Sequence, residues 1–163
     1  MKTISFPYIL DAGDGGYYFL VADTEAEAQE IIKLASDELG YDFNEPSLVS
    51  DIDNKPAVYN ALSLKSFEPL GYDTKDALFK AYDEDPELQD SHAYSLDGYE
   101  GAVIGVADAG TRFVYDFNKM VDIMVTRDQM TYEDALEWYS YNIERSFPYY
   151  QPCPIILNVL SDV

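Results

Sequence analysis

The sequence predicts an α+β fold, a mainly antiparallel sheet with helices packed on one face. Three observations predict it. Two pairs of short apolar runs flank Gly/Asp turns, near 3–21 and 102–115, as in hairpins. Four stretches repeat apolar residues at helical spacing behind a Thr or Asp cap. A last apolar run, 155–160, closes the chain. The order fits one sheet over 1–163, read as a single compact domain with possible sub-lobes 1–85 and 97–163. Pattern, caps and turns agree best from Gly101 to Leu157.

Thr3 to Leu10 reads as a first strand, with Pro7 favouring an edge or a bulge. Asp11-Ala-Gly-Asp-Gly-Gly16 reads as a turn and Tyr17 to Val21 as a second strand. The glycines do not make a phosphate loop, because no Gly-Lys-Ser/Thr follows and two Asp would repel the phosphate. Thr24-Glu-Ala-Glu27 is a capping box. Ala28, Ile31, Ile32, Ala35 and Leu39 form the inner face of the helix it starts, and Gly40 ends it. Its outer face carries Glu25, Glu27, Glu30, Asp37 and Glu38 against Lys33 alone. Tyr41 to Lys55 reads as loop. Asp51-Ile-Asp53-Asn54 begins like a calcium loop, but Pro56 and Leu62 stand where Gly and Glu are needed. Ala57 to Leu64 fits either a short helix or a strand.

Thr74 to Tyr82 reads as a helix with Ala77, Leu78 and Ala81 inward, stopped by Pro86. Asp83, Glu84, Asp85 and Glu87 follow as a solvated acidic run that also suits a cation. Leu88 to Gly98 reads as a surface loop. It holds Ser91 beside His92, the only histidine, a weak nucleophile-base signal that fits a structural His better. Ala102 to Ala107 and Arg112 to Tyr115 pair across Asp108-Ala-Gly110. Asp116 caps a helix whose inner face is Phe117, Met120, Val121, Met124 and Val125. Thr131 opens a further helix with Tyr132, Ala135, Leu136, Tyr139, Ile143 and Phe147 inward. The Met and aromatic residues of these stripes read as core rather than as a ligand pocket. Asn142 reads as a buried amide holding the Pro-rich exit at Pro148, Pro152 and Pro154. Cys153 reads as a small buried hydrophobe, and Ile155 to Leu160 as the final strand.

Charge is the second informative feature. Thirty-one acids against 10 bases give a formal net charge of −21. Asp11 to Asp53 holds twelve acids and only Lys33; Glu68 to Asp108 holds eleven against Lys75 and Lys80. Such a surface disfavours direct binding to nucleic acid or to an anionic membrane. A single Cys excludes an internal disulfide and a Cys-rich zinc site. The first residues lack the pattern of a signal peptide, and no run reaches the length of a membrane span. The expected compartment is a reducing cytoplasm. No metalloprotease helix, nucleophile elbow or Walker loop is present, so no catalytic residue, metal ligand or cofactor is predicted.

Met130-Thr-Tyr-Glu-Asp-Ala135, then Tyr139 and Tyr141-Asn142-Ile143, then Pro152-Cys-Pro154-Ile-Ile156 resembles a pattern in small uncharacterised proteins of tailed phages and prophages. The resemblance covers roughly 99–157. It departs at Ser146-Phe-Pro-Tyr-Tyr-Gln151, where Gly-containing sequence is usual. It implies a mobile-element origin and carries over no functional residue.

The function expected from these features is a non-enzymatic acidic inhibitor. It would occupy the basic groove of a nucleic-acid-binding host defence protein, a restriction or CRISPR nuclease, by nucleic-acid mimicry. The expected contacts are Glu25, Glu27, Glu30, Asp37 and Glu38 with Asp83, Glu84, Asp85 and Glu87. The alternatives are a small α+β binding or regulatory module, whose interface the abundant Tyr would supply, and a carboxylate-metal enzyme.

Overall fold

Four side-chain oxygens start four helices in the computed structural model, which describes residues 1–4, 8–11, 17–22, 24–40, 47–48, 58–64 and 67–160. Thr24 Oγ1 accepts the Glu27 amide at 3.1 Å and starts α1 (Glu25–Leu39). Thr74 accepts the Ala77 amide at 3.2 Å and starts α2 (Lys75–Asp83). Asp116 accepts from Asn118 at 2.9 Å and Lys119 at 3.3 Å, opening α3 (Phe117–Arg127). Thr131 accepts the Asp134 amide at 3.1 Å and opens α4 (Tyr132–Trp138). Each cap satisfies an amide that the first turn leaves without a helical partner. Gly40 closes α1 at φ 70°, a conformation glycine adopts without steric cost.

Seven described strands form one sheet: β1 (Tyr8–Asp11), β2 (Tyr17–Leu20), β3 (Ser47–Leu48), β4 (Val58–Leu62), β5 (Val103–Ala107), β6 (Arg112–Asp116) and β7 (Ile155–Leu160). Their order is β3-β1-β2-β4-β7-β6-β5. The α+β class is as expected; the mainly antiparallel sheet is not. β3–β1, β1–β2 and β5–β6 are antiparallel, whereas β2–β4, β4–β7 and β6–β7, at the centre, are parallel. The reason is the connections. α1 lies between β2 and β4, and α3 and α4 between β6 and β7. A strand reached through a helical crossover can return parallel to its neighbour, which a tight turn does not allow. The undecided run near Ala57 to Leu64 is the central strand β4, flanked by β2 and β7. Ser47–Leu48 is a short edge strand inside the expected loop. The Asp51–Asn54 motif, and residues 12–16 of the first turn, lie outside the described residues.

Strand parity sorts the core. Partners in a parallel ladder share a face, and alternate residues share a face along each strand. Val58, Asn60 and Leu62 therefore lie on the same side as Ile156 and Asn158. Ile156, Tyr115, Phe113 and Val103 pack there with Leu78, Met120, Met124 and Ile143 from the helical segments. Leu20 and Leu62, on that same side, receive Ala28, Ile31 and Ala35 of α1. The helices thus share one face. Between them a ladder of amides crosses the sheet. Asn118 Nδ2 donates to Asn158 Oδ1, and Asn158 Nδ2 donates to Asn60 Oδ1, each at 3.0 Å. The other face buries Phe19, Ala61, Ile104, Val114, Ile155 and Leu157 beneath Ile4, with Phe67 at its margin. Residues 2–4 run along β5, with Ile4 N–H donating to the Val106 carbonyl at 2.9 Å. Gly105 makes room for this segment: a Cβ there would stand 2.7 Å from the Lys2 carbonyl oxygen.

Three residues expected inward are exposed. In α2 the buried residues are Leu78 and Tyr82, while Ala77 is exposed. Tyr82 reaches the aromatic cluster at Phe113, with ring centroids 5.3 Å apart, a contact too long for Ala. Tyr132 is 59% exposed, because the core ends at Ala135. Asn142 is exposed and donates to the Trp138 carbonyl at 3.2 Å; it does not hold the exit. Arg112, 2% exposed, holds it instead, its Nε donating to the Cys153 carbonyl at 2.6 Å. Beyond Trp138 the helix widens into a π-turn at Tyr139–Ile143, then tightens into a 3₁₀ segment at Glu144–Tyr149. The buried residues Ala135, Tyr139, Ile143 and Phe147 recur every fourth position. In an α-helix such a repeat drifts by about 40° per step, and the wider turn between Tyr139 and Ile143 takes up part of that drift.

Candidate functional site

The acids of α1 are held outward by its buried side. With Ala28, Ile31 and Ala35 inward, Glu25, Glu30, Asp37 and Glu38 are exposed and Glu27 is half-buried. Glu27, Glu30, Asp37 and Glu38 fall within about 100° of arc and about 17 Å of axis. Glu25 and Glu27 lie in the first turn, where the helix dipole favours carboxylates. Asp37 and Glu38 lie near the other end, where it opposes them, and the last turn holds no base.

The second acidic set also gathers at a helix C-terminus. Asp83 ends α2, Glu84 caps it, and both are exposed, as is Glu87. Asp85 differs, and the structure corrects its place among the predicted contacts. Its Oδ2 accepts a hydrogen bond from the Met1 ammonium, and its Oδ1 accepts the Glu87 amide at 3.0 Å. The ammonium bond, then that amide, hold the Asp85 carboxyl below the usual carboxylate range. Asp85 is therefore an internal fastener. The two sets also do not form one row. α1 covers Leu20 and Leu62, whereas α2 packs on Phe113 of β6. β2 and β6 are three strand intervals apart, about 14 Å.

A feature the sequence reading passed over lies on α4. A groove of about 390 Å³ is lined by Met130, Asp134, Glu137, Trp138, Tyr141 and Asn142. Trp138 is 45% and Tyr141 56% exposed, high values for such large rings. The α4 register and the π-turn put Asp134, Glu137, Trp138, Tyr141 and Asn142 together at spacings of three and four residues. One signal could have found the groove: the chain's single Trp stands outside the inner stripe of its helix.

Ser91 and His92 do not form a nucleophile–base pair. Ser91 Oγ donates to the Ala109 carbonyl at 2.7 Å, and His92 is exposed. Cys153 is fully buried, its sulfur 3.5 Å from Arg112 Nη2. Among the described residues no three of His, Cys, Asp and Glu gather into a group that could hold a metal ion. No helix among them is long and apolar enough to cross a membrane.

No family model, curated protein or solved structure matches the chain. The functional reading rests on its own residues.

Proposed function

We propose that this protein is a non-enzymatic acidic inhibitor that occupies the basic groove of a nucleic-acid-binding protein, in the manner of phage proteins that block restriction or CRISPR nucleases. The observation that carries the reading is the position of Asp37 and Glu38. They are exposed in a helix end with no base in its last turn. Helix stability does not account for them there, because the dipole opposes them. Asp83 and Glu84 are also exposed acids at a helix end, that of α2, although its last turn holds Lys80. Carboxylates kept against local stability are explained when a cationic partner neutralises them. The contacts are Glu25, Glu27, Glu30, Asp37 and Glu38, with Asp83, Glu84 and Glu87; Asp85 serves the fold.

Cleavage of DNA by purified restriction and CRISPR nucleases, with and without the protein, tests this reading. Inhibition of a susceptible nuclease should weaken steeply with salt, since many ion pairs replace condensed counterions. Reversing Glu30, Asp37, Glu38 and Asp83 together to Lys should remove inhibition and leave the circular dichroism spectrum intact. A folded reversed variant that still inhibits, or a panel with no inhibited nuclease, overturns the proposal. The second reading, a small α+β binding module, draws on the aromatic groove of α4.

A further inference from the structure

We infer that the α4 groove is a receptor for one arginine side chain, carried by a basic segment of the protein partner. The inference rests on the function proposed above and names the group that would anchor that partner.

Three features select arginine. Trp138 and Tyr141 are exposed rings beside two carboxylates, Asp134 and Glu137, with Arg145 stacked on one side of the Tyr141 ring. A guanidinium is planar, stacks on aromatic faces and forks onto carboxylates, so one group satisfies both walls. A lysine ammonium is more strongly hydrated and lacks the flat face. The surrounding charge also suits it: from Thr131 to Arg145 four acids stand against Arg145 alone. Finally, the chain's own guanidinium groups already use its tyrosines this way. Arg145 lies 4.3 Å over the Tyr141 ring, and Arg127 lies 5.1 Å over Tyr99. Among the described residues no ring or cation stacks on Trp138. The groove, at about 390 Å³, lies in the size range of side-chain and small-ligand pockets.

The test uses the whole protein with fluorescein-labelled oligoarginine and with oligolysine of equal length, at about 0.15 M ionic strength. Trp138 is the only tryptophan, so its emission reports on the groove alone. Oligoarginine should change that emission along a saturating curve and bind more tightly than oligolysine. By label anisotropy, Trp138→Ala should weaken binding about tenfold, as a partly desolvated cation–π contact implies. Trp138→Phe should recover part of the loss, and Glu137→Gln should weaken binding with the ring intact. The double variant Asp37→Lys with Glu38→Lys should keep the Trp138 response. Equal affinity for the two peptides, with binding unchanged in Trp138→Ala, overturns the groove but leaves the acidic helix ends as the contact. Wild-type protein that binds neither peptide overturns both readings. A saturating response to tetramethylammonium without preference for oligoarginine reassigns the groove to a small quaternary cation and overturns the inference. Concentration-dependent self-association that alters Trp138 emission without peptide overturns it in favour of a second copy of this chain.

Discussion

Two buried tyrosines show how single atoms decide stability in this core. The Tyr115 hydroxyl accepts the Leu96 amide at 2.8 Å. The Tyr139 hydroxyl is buried without a hydrogen-bond partner, while its ring packs edge-on against Phe117 at 5.0 Å. Tyr139→Phe keeps the ring and removes an unsatisfied polar atom. Chemical unfolding should show stability unchanged or raised by up to about 1 kcal/mol. Tyr115→Phe should cost about 1–3 kcal/mol, since the Leu96 amide then stays buried without an acceptor. A loss on Tyr139→Phe as large as that on Tyr115→Phe would contradict this account. Burial pushes both phenols above their ordinary 10.0. A raised folded pKa favours the protonated form, so its contribution is complete below pH 10 and is lost as pH climbs through the folded values. Alkaline unfolding should therefore begin above pH 10, with phenolate absorbance rising alongside it. The Tyr139→Phe variant should resist it better. Hydroxyl partners were not legible in the sequence, because Leu96 and Tyr115 meet only through the tertiary fold.

At the scale of elements, each helix start was legible and the inner faces were legible in part. Thr24, Thr74, Asp116 and Thr131 act locally, through amides two or three residues on, so the sequence displays them. Tyr132 and Asn142 were misplaced because the edge of the core is set by neighbouring elements. The four-residue repeat of Ala135, Tyr139, Ile143 and Phe147 spans only about 120° of arc in a regular helix, so the π-turn was not legible in it. Ile143→Ala should cost about 2–5 kcal/mol in chemical unfolding, as a buried large-to-small change does. A cost under about 0.5 kcal/mol would place this residue outside the core. The end of α1 makes the opposite prediction. Asp37→Lys and Glu38→Lys should each stabilise the fold, by about 0.3–1 kcal/mol, because cations suit a helix C-terminus. Stabilised variants that lose inhibition would separate a binding role from a folding role. Destabilisation by both would show that the two acids serve the fold.

At the scale of the molecule, charge is a property of the whole surface. With 31 acids and 10 bases, self-repulsion weakens the folded state at low salt. Moderate salt should raise the melting temperature, since exposed charges beyond a Debye length are then screened. Thermal unfolding at low and moderate salt checks this. An unchanged midpoint would mean that the carboxylates are paired or well spaced, against a dense acidic stripe. The Asp85 bond to the Met1 ammonium and the Arg127–Asp128 pair, at 2.8 Å, offset only a little of that repulsion.

The sequence by itself determined what depends on neighbours within a turn or a hairpin. It determined the four helix starts, the two hairpins, the last strand and the excess of acid. Each follows from residues at most a few positions apart. Only the tertiary structure decided which strands lie side by side. It brought β4 against β7, pairing Asn60 with Asn158 across ninety-eight positions, and made the centre of the sheet parallel. It drew Asp85 away from the surface charge to the Met1 ammonium, eighty-four positions off. The physical reason is range. Caps and turns are decided by local hydrogen bonds and sterics, whereas strand order and exposure are decided by which distant apolar faces bury one another.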